Sequence, residues 1–421
     1  MDEIRMVRDA YGSPRPPTEE ETSTAFAQLD ALIKAEGDAP VTSVRRRPAG
    51  RAAGRFGGRF GGWFGGWRMR VGVGLLAAGT AAAAVIVASG QGDAPSGHGP
   101  GHGAGSAPDA SGHEAFMQVA AKAELLPTGR YWYSDQIQGQ SYMQRPKTGT
   151  YAIIGAHSET FQFTGADKKY GSAFLGRDLP ARPATADDIP AWKRAGSPTS
   201  FRVWSNDHYY VYKAKATAWQ DDPAGQGGGG TFTGPPGTLT PQQIAALPTD
   251  PDALAKLFFH PERPGWGGKI AEEKRKAGKV YRPAGPRDKL LITGDALKDM
   301  PLPPKVRAGL MRALAKEPGI RTLDGAVDPL GRKGVALTID PRTATITGEY
   351  GAPKEEQGTY TARDELVFDP ATGDLLSDQL VLVQPGGPYA ARKPGSVINY
   401  WILRKAGWTD TKPQPPSKLP F

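Results

Sequence analysis

Between Val71 and Ser89 the chain reads VGVGLLAAGTAAAAVIVAS, nineteen residues without a charged side chain. As a helix at about 1.5 Å per residue this covers about 28 Å, close to the hydrocarbon thickness of a bilayer. A core helix of that length would keep a polar face, and this segment has none. The pattern therefore predicts one transmembrane helix over 71–89. Ahead of it, Thr18 and Glu21 have capping-box spacing. Phe26, Leu29, Leu32 and Ile33 then recur at helical intervals through about Glu36. Ile4 and Val7 could make a second short helical face. One amphipathic helix cannot bury its stripe alone. It either lies on the membrane or in solution, or docks a cytosolic partner through Phe26, Leu29 and Ile33.

From about Glu114 the periodicity becomes that of a folded domain, expected over 114–408. A short helix at 114–124 leads into Tyr131-Trp132-Tyr133 and a strand to Met143. A strand pair is expected over 150–164, and an aromatic, alternating strand region over 200–217, with a loop at 219–240. Thr249-Asp250-Pro251 predicts a capped helix to Phe259, and Pro303-Pro304 opens another that Pro318-Gly319 ends. Val335–Ile339 reads as a strand. Leu366-Val367-Phe368 and 375–383 flank the turn residues Asp369-Pro370-Ala371-Thr372-Gly373 and read as a hairpin. Leu366, Phe368, Leu376 and Leu380 are its expected core, with the facing open by one residue. Val397–Leu403 is a last strand, and 409–421 is expected to be a disordered, Pro-rich tail. Strands, then helices, then strands with hairpins predict an α+β fold with an antiparallel sheet rather than a parallel βαβ series.

Charge orients the membrane segment. Residues 1–44 carry nine acids and four bases, an acidic head, whereas 45–70 carry eight arginines and no acid. No Lys or Arg follows the span until after Val119. The positive-inside rule places the N-terminus in the cytoplasm and the large C-terminal part outside. A cleaved signal peptide is the rival reading, but its charged region would be 70 residues long. The 45–70 segment repeats RFGG, RFGG, WFGG at 55–66. Arg/Gly/Phe repeats can bind RNA. Directly before a span, a membrane interface is the simpler account, with Arg59, Trp63, Phe64, Trp67, Arg68 and Arg70 meeting lipid headgroups. No direct nucleic-acid contact is expected.

Composition limits the chemistry. Glycine and proline supply about 22% of the chain, against roughly 12% on average, and 90–113 is a Gly/Ser/His-rich spacer. The absence of cysteine excludes disulfides, thiolate metal sites and thiol catalysis. His98, His102 and His113 sit in the spacer, where Gly-rich chain fixes no ligand geometry. No metal or cofactor is expected. No nucleophile elbow, phosphate loop or H-E-x-x-H occurs. His157, His208 and His260 are isolated in sequence. A carboxylate pair stays open, with nothing to single one out. The aromatic strand residues could line a ligand groove or fill the sheet core.

The opening MDEIRMVRDAYGSPRPPTEEE, the arginine-rich stretch, the single span, YWYSDQ and LVFDPATGDLLSDQLVLV together resemble an uncharacterised actinobacterial family of single-pass membrane proteins. Members are often encoded beside extracytoplasmic-function sigma factors. The exported part also resembles LolA- and RseB-type half-barrels, in which a curved antiparallel sheet shelters helices. The resemblance implies a cell-membrane protein that senses or regulates across the envelope, with a sigma factor or other cytoplasmic regulator and an envelope ligand as partners. The head has no His/Cys set, so a zinc-binding anti-sigma mechanism is unavailable to it. The expectation is a non-enzymatic, anti-sigma-like sensor. The alternative is a membrane-tethered exported carrier for a ligand or lipid.

Overall fold

The computed structural model describes residues 110–221, 232–234, 236–259 and 284–421. The expected head, arginine stretch, transmembrane helix and most of the spacer fall in 1–109, outside the described residues. Among the described residues, no helix is long and apolar enough to cross a membrane.

Helix α1 (Ala110–Glu124) starts inside the expected spacer and leads to β1 (Tyr131–Gln144) and β2 (Tyr151–Gly165). The expected strand pair at 150–164 is thus one long strand. After β3 (Ser172–Asp178) and β4 (Arg182–Pro183) come α2 (Ile189–Arg194) and a hairpin of β5 (Ser200–Ser205) and β6 (His208–Lys213). Asn206, with φ of 62°, supplies its turn. The expected loop at 219–240 holds three short strands, β7 (Gln220–Asp221), β8 (Phe232–Gly234) and β9 (Gly237–Leu239).

The helical middle comprises α3 (Pro241–Ala245), α4 (Pro251–Phe258), α5 (Pro286–Asp299) and α6 (Pro304–Ala315). Asp250 caps α4 through the Ala253 N–H, as its sequence predicts. The pattern did not predict α5, whose centre carries Thr293-Gly294. A Cβ on Gly294 would come within 2.9 Å of Leu366 and 3.2 Å of Asp378. Glycine here lets the helix approach the sheet, and this tertiary gain outweighs its weak helix propensity.

The last strands are β10 (Arg321–Val327), β11 (Lys333–Thr338), β12 (Arg342–Ile346), β13 (Gly358–Phe368), β14 (Leu375–Gln384) and β15 (Val397–Thr409). They join the first strands in one eleven-stranded antiparallel sheet, ordered β10-β11-β13-β14-β15-β1-β2-β3-β7, with β12 on β13 and β4 on β2. The α+β class and antiparallel sheet therefore stand as expected. The first and last long strands pair at its centre, from Tyr131↔Thr409 to Gln140↔Asn399.

Alternation along the strands sorts the core into two layers. Leu337, Leu366, Phe368, Leu375 and Leu403 pack with Phe116, Leu254, Leu290, Leu297, Val306 and Leu310 of the helices. Their neighbours Ala336, Val367 and Leu376 pack with Ala326 instead. Ile402 packs with Ile137, Ile154 and Tyr400. Leu366, Phe368 and Leu376 are buried, and Leu380 is half-buried. The Asp369–Gly373 turn tucks under α1. Gly373 has φ of 77°, and a Cβ there would meet the Ala123 nitrogen at 2.5 Å, so this position demands glycine twice over.

Phe368 is fully buried and meets Phe116 edge-on, ring centroids 5.2 Å apart. Phe368→Ala should cost roughly 3–5 kcal/mol, the range for emptying a buried aromatic site. Leu125→Ala, at an 84% exposed position, should stay within about 0.5 kcal/mol. Chemical denaturation of the two variants checks the difference.

Candidate functional site

Two places in the domain hold concentrated chemistry. The first arises from an irregularity in the central strand pair. Asp135 pairs Lys405 and Gln136 pairs Leu403, so Arg404 is the extra residue of a β-bulge. A bulge re-aims the side chain it carries. The Arg404 guanidinium reaches Glu159 of β2 and stands 3.4 Å from Asp135. From β3, the Arg177 Nε donates to the other Glu159 oxygen at 2.6 Å. Two carboxylates and two guanidiniums from four strands thus meet on one face, with Glu159 fully buried. Burial, and then the neighbouring Glu159 charge, push the Asp135 carboxyl up to about 7, with Arg404 opposing them.

The C-terminal segment closes over this cluster. Trp219 covers the Arg177 guanidinium at 4.4 Å and donates its indole N–H to the Pro416 carbonyl. Arg177 donates to the Lys418 carbonyl at 2.8 Å. Phe421 lies against the His157 ring, centroids 5.3 Å apart, and under the Arg182 guanidinium at 4.0 Å. The expected disordered tail is therefore laid down on the sheet. Its prolines and lysines read as disorder in sequence because its partners are scattered through residues 157–219. His157 is buried, with Nδ1 2.9 Å from the Pro180 carbonyl. Burial, and to a lesser degree Arg182, lower its pKa to about 4 despite that hydrogen bond.

The second place is a cavity of about 150 Å³ between the α1–β1 connection, the start of α6 and the end of β15. Trp132, Tyr133, Leu302 and Trp408 line it, together with Arg307 and Asp374. The Trp408 indole N–H donates to the Leu302 carbonyl at 3.2 Å, which turns the ring rather than the donor to the cavity. Burial lowers the Arg307 pKa, and the Asp374 charge partly restores it. Of the aromatic run Tyr131-Trp132-Tyr133, Trp132 and Tyr133 line this space while Tyr131 meets Phe163 edge-on. Tyr142, by contrast, is core.

Between α5 and the sheet runs a third polar layer, and it is structural. Lys298 is buried between Asp378 and Asp295, its ammonium 5.1 Å from the Trp401 ring. Burial alone would depress its pKa, but Asp378, Asp295 and Asp299 outweigh that and hold it above the ordinary lysine value.

The residues singled out from sequence, Phe26, Leu29, Ile33, Arg59, Trp63, Phe64, Trp67, Arg68 and Arg70, lie outside the described residues, as do His98, His102 and His260. His113 is exposed in α1, and His208 is exposed beside Asp207. Among the described residues, no group of three or more His, Asp or Glu could hold a metal ion. Sequence reasoning missed Arg307 and the Asp135–Glu159–Arg177–Arg404 cluster. The available signal was charge inside strands otherwise built of core residues. Comparison with known proteins returns no matching family model, no matching curated protein and no matching solved structure.

Asp135 gives a signed pH dependence. Its carboxyl holds a proton to about 7 in the fold and to roughly 3.9 in the unfolded chain. The stability contributed by the neutral acid is present below the unfolded value and is lost as pH rises through 7. Asp135→Asn should melt a few degrees above the parent at pH 8 and close to it at pH 4. Thermal melts across that range check the crossover.

Proposed function

We propose that the chain is a non-enzymatic, single-pass membrane protein that senses or regulates across the envelope. The head over 1–44 faces the cytoplasm and docks a regulator, and the domain that begins at Ala110 faces outward and binds an envelope ligand. The observation that carries this reading is the charge asymmetry around Val71–Ser89, with eight arginines before the span and none shortly after it. A folded α+β domain with a cavity open beside its helix layer supports the outward binding role. In this reading the sheet works as a half-barrel, its helices packed on one face as in LolA- and RseB-type proteins.

The same cavity favours a second reading, in which the domain is a tethered carrier for a small ligand or lipid and the head is dispensable. The head separates the two. A sigma factor or similar regulator with a basic surface suits a head that carries nine acids against four bases.

A periplasm-active phosphatase fused after Gly112 should be active, and one fused after Ala49 inactive. The reverse pattern overturns the topology. Deleting 1–44 should abolish signalling in the regulator reading and leave ligand binding intact. Phe26→Asp with Leu29→Asp should release the cytoplasmic partner without affecting membrane insertion, read by pull-down from membranes with residues 1–70 as bait. If the double variant keeps every partner that the parent holds, the carrier reading leads.

A further inference from the structure

Residues 411–421 are held on the sheet by their carbonyls and prolines rather than by charged side chains. The Trp219 indole N–H donates to the Pro416 carbonyl at 2.9 Å, and Arg177 donates to the Lys418 carbonyl at 2.8 Å. Among the described residues, the backbone N–H groups from Lys412 onward donate to nothing in the domain. Pro413, Pro415, Pro416 and Pro420 are half-buried, while Gln414, Ser417 and Lys418 are exposed. Proline has no N–H and a fixed φ, so such a stretch is extended before it binds and keeps its carbonyls free to accept. Proline-rich segments dock in this way on aromatic-lined grooves.

What covers Arg182 is a poor match for it. The guanidinium stands 4.0 Å from the Phe421 ring, and Phe421 is 48% exposed. Burial lowers the Arg182 pKa, and Tyr400 rather than a carboxylate opposes that. The segment holds Lys412 and Lys418 and no acid, so it brings more positive charge to this face. A carboxylate holds a guanidinium more firmly than a half-exposed ring does.

We propose that this face is a docking site for a proline-rich, acidic segment of a partner protein, and that residues 411–421 occupy it in cis until such a segment displaces them. Trp219 and Arg177 read carbonyls, so an incoming proline-rich segment reproduces both bonds whatever its side chains. An acid five residues after the proline at Trp219, where Phe421 now stands, gains Arg182 as a partner. The cis segment has the advantage of its tether, an effective concentration of order millimolar. The added ion pair lets a partner overcome that advantage, and a proline-rich segment without the acid is refused. This gives a partner class to the outward domain and so rests on the binding role proposed above. The two fail separately, because the fusions and the head deletion report on topology and signalling whatever this face binds.

The absence of cysteine supplies the test. Ser417 is exposed, and Ser417→Cys creates a single labelling site beside Trp219, where a bimane label is quenched by contact with the indole. The full chain, in phosphatidylcholine nanodiscs, is titrated with the amidated peptides TKPQPPSKLPE, TKPQPPSKLPF and TKAQAASKLAE and with inorganic phosphate. TKPQPPSKLPE should restore bimane fluorescence at a concentration at least tenfold below that needed of the other two peptides, and phosphate should not restore it. Arg182→Gln should keep the parental quenching and bring the two proline peptides within twofold of each other. Should Arg182→Gln not fold, salt carries the test: raising it from 50 to 500 mM should shrink the advantage of TKPQPPSKLPE severalfold. The proposal is overturned if the label is unquenched in the free protein, if TKPQPPSKLPE does not restore fluorescence at millimolar concentration, or if another peptide or phosphate does so equally well. It is also overturned if the preference for the acidic peptide survives a folded Arg182→Gln or is unmoved by salt.

Discussion

The pairing of β1 with β15 is the constraint on which the rest of the domain depends. Two antiparallel meanders, β1-β2-β3 and β13-β14-β15, would each expose a strand edge if left alone, and unpaired backbone groups on such an edge must find partners. Joining β1 to β15 removes both inner edges at once and makes one sheet out of two. It also places α5, which lies between the meanders in sequence, over strands from both: Asp299 accepts from Gln136 of β1 and Gln162 of β2, and Lys298 pairs with Asp378 of β14.

The junction is irregular, and its irregularity decides the electrostatics. The extra residue in β15 sends Arg404 onto Glu159 and beside Asp135. Charges buried in a sheet are tolerated only when each has partners close by. Here one guanidinium comes from a bulge in β15, another from β3 three strands along, and the covering surface from residues 416–421. On the opposite face the same requirement is met differently. Lys298 of α5 descends onto Asp378, and Arg287 and Arg342 share Asp364. The sheet is thus a polar scaffold on both sides, with apolar layers set between the ion pairs.

This organisation explains what could be read from the sequence. The β13–β14 hairpin was legible because Asp369-Pro370-Ala371-Thr372-Gly373 admits few conformations other than a turn. Helices α4 and α6 were legible because proline stands where a helix begins and an apolar stripe follows. Helix α5 was not, since Gly294 looks like a break until the sheet it packs on is known. Single-face alternation misled for β13 and β14, because both of their faces are covered. The chemistry was less legible still. Arg307 lies between Val306 and Leu310 like any helix-face arginine, and only the fold shows it buried beside a cavity. Asp135, Glu159, Arg177 and Arg404 are brought together by strand order alone. The head and the apolar run at 71–89 are read from sequence, and the described residues add nothing to them.

The position of β1 has a mechanical consequence. Whatever holds the chain ahead of Ala110 pulls on α1 and, through it, on β1. That strand lies inside the sheet, paired with β15 from Tyr131 to Gln140 on one side and with β2 from Tyr131 to Gln144 on the other. A load applied there is shared by two ladders and divides between the two meanders. An edge strand would be unzipped one bond pair at a time, whereas this attachment must shear both neighbours together. A pull entering through β1 would therefore move the domain as a body before opening it.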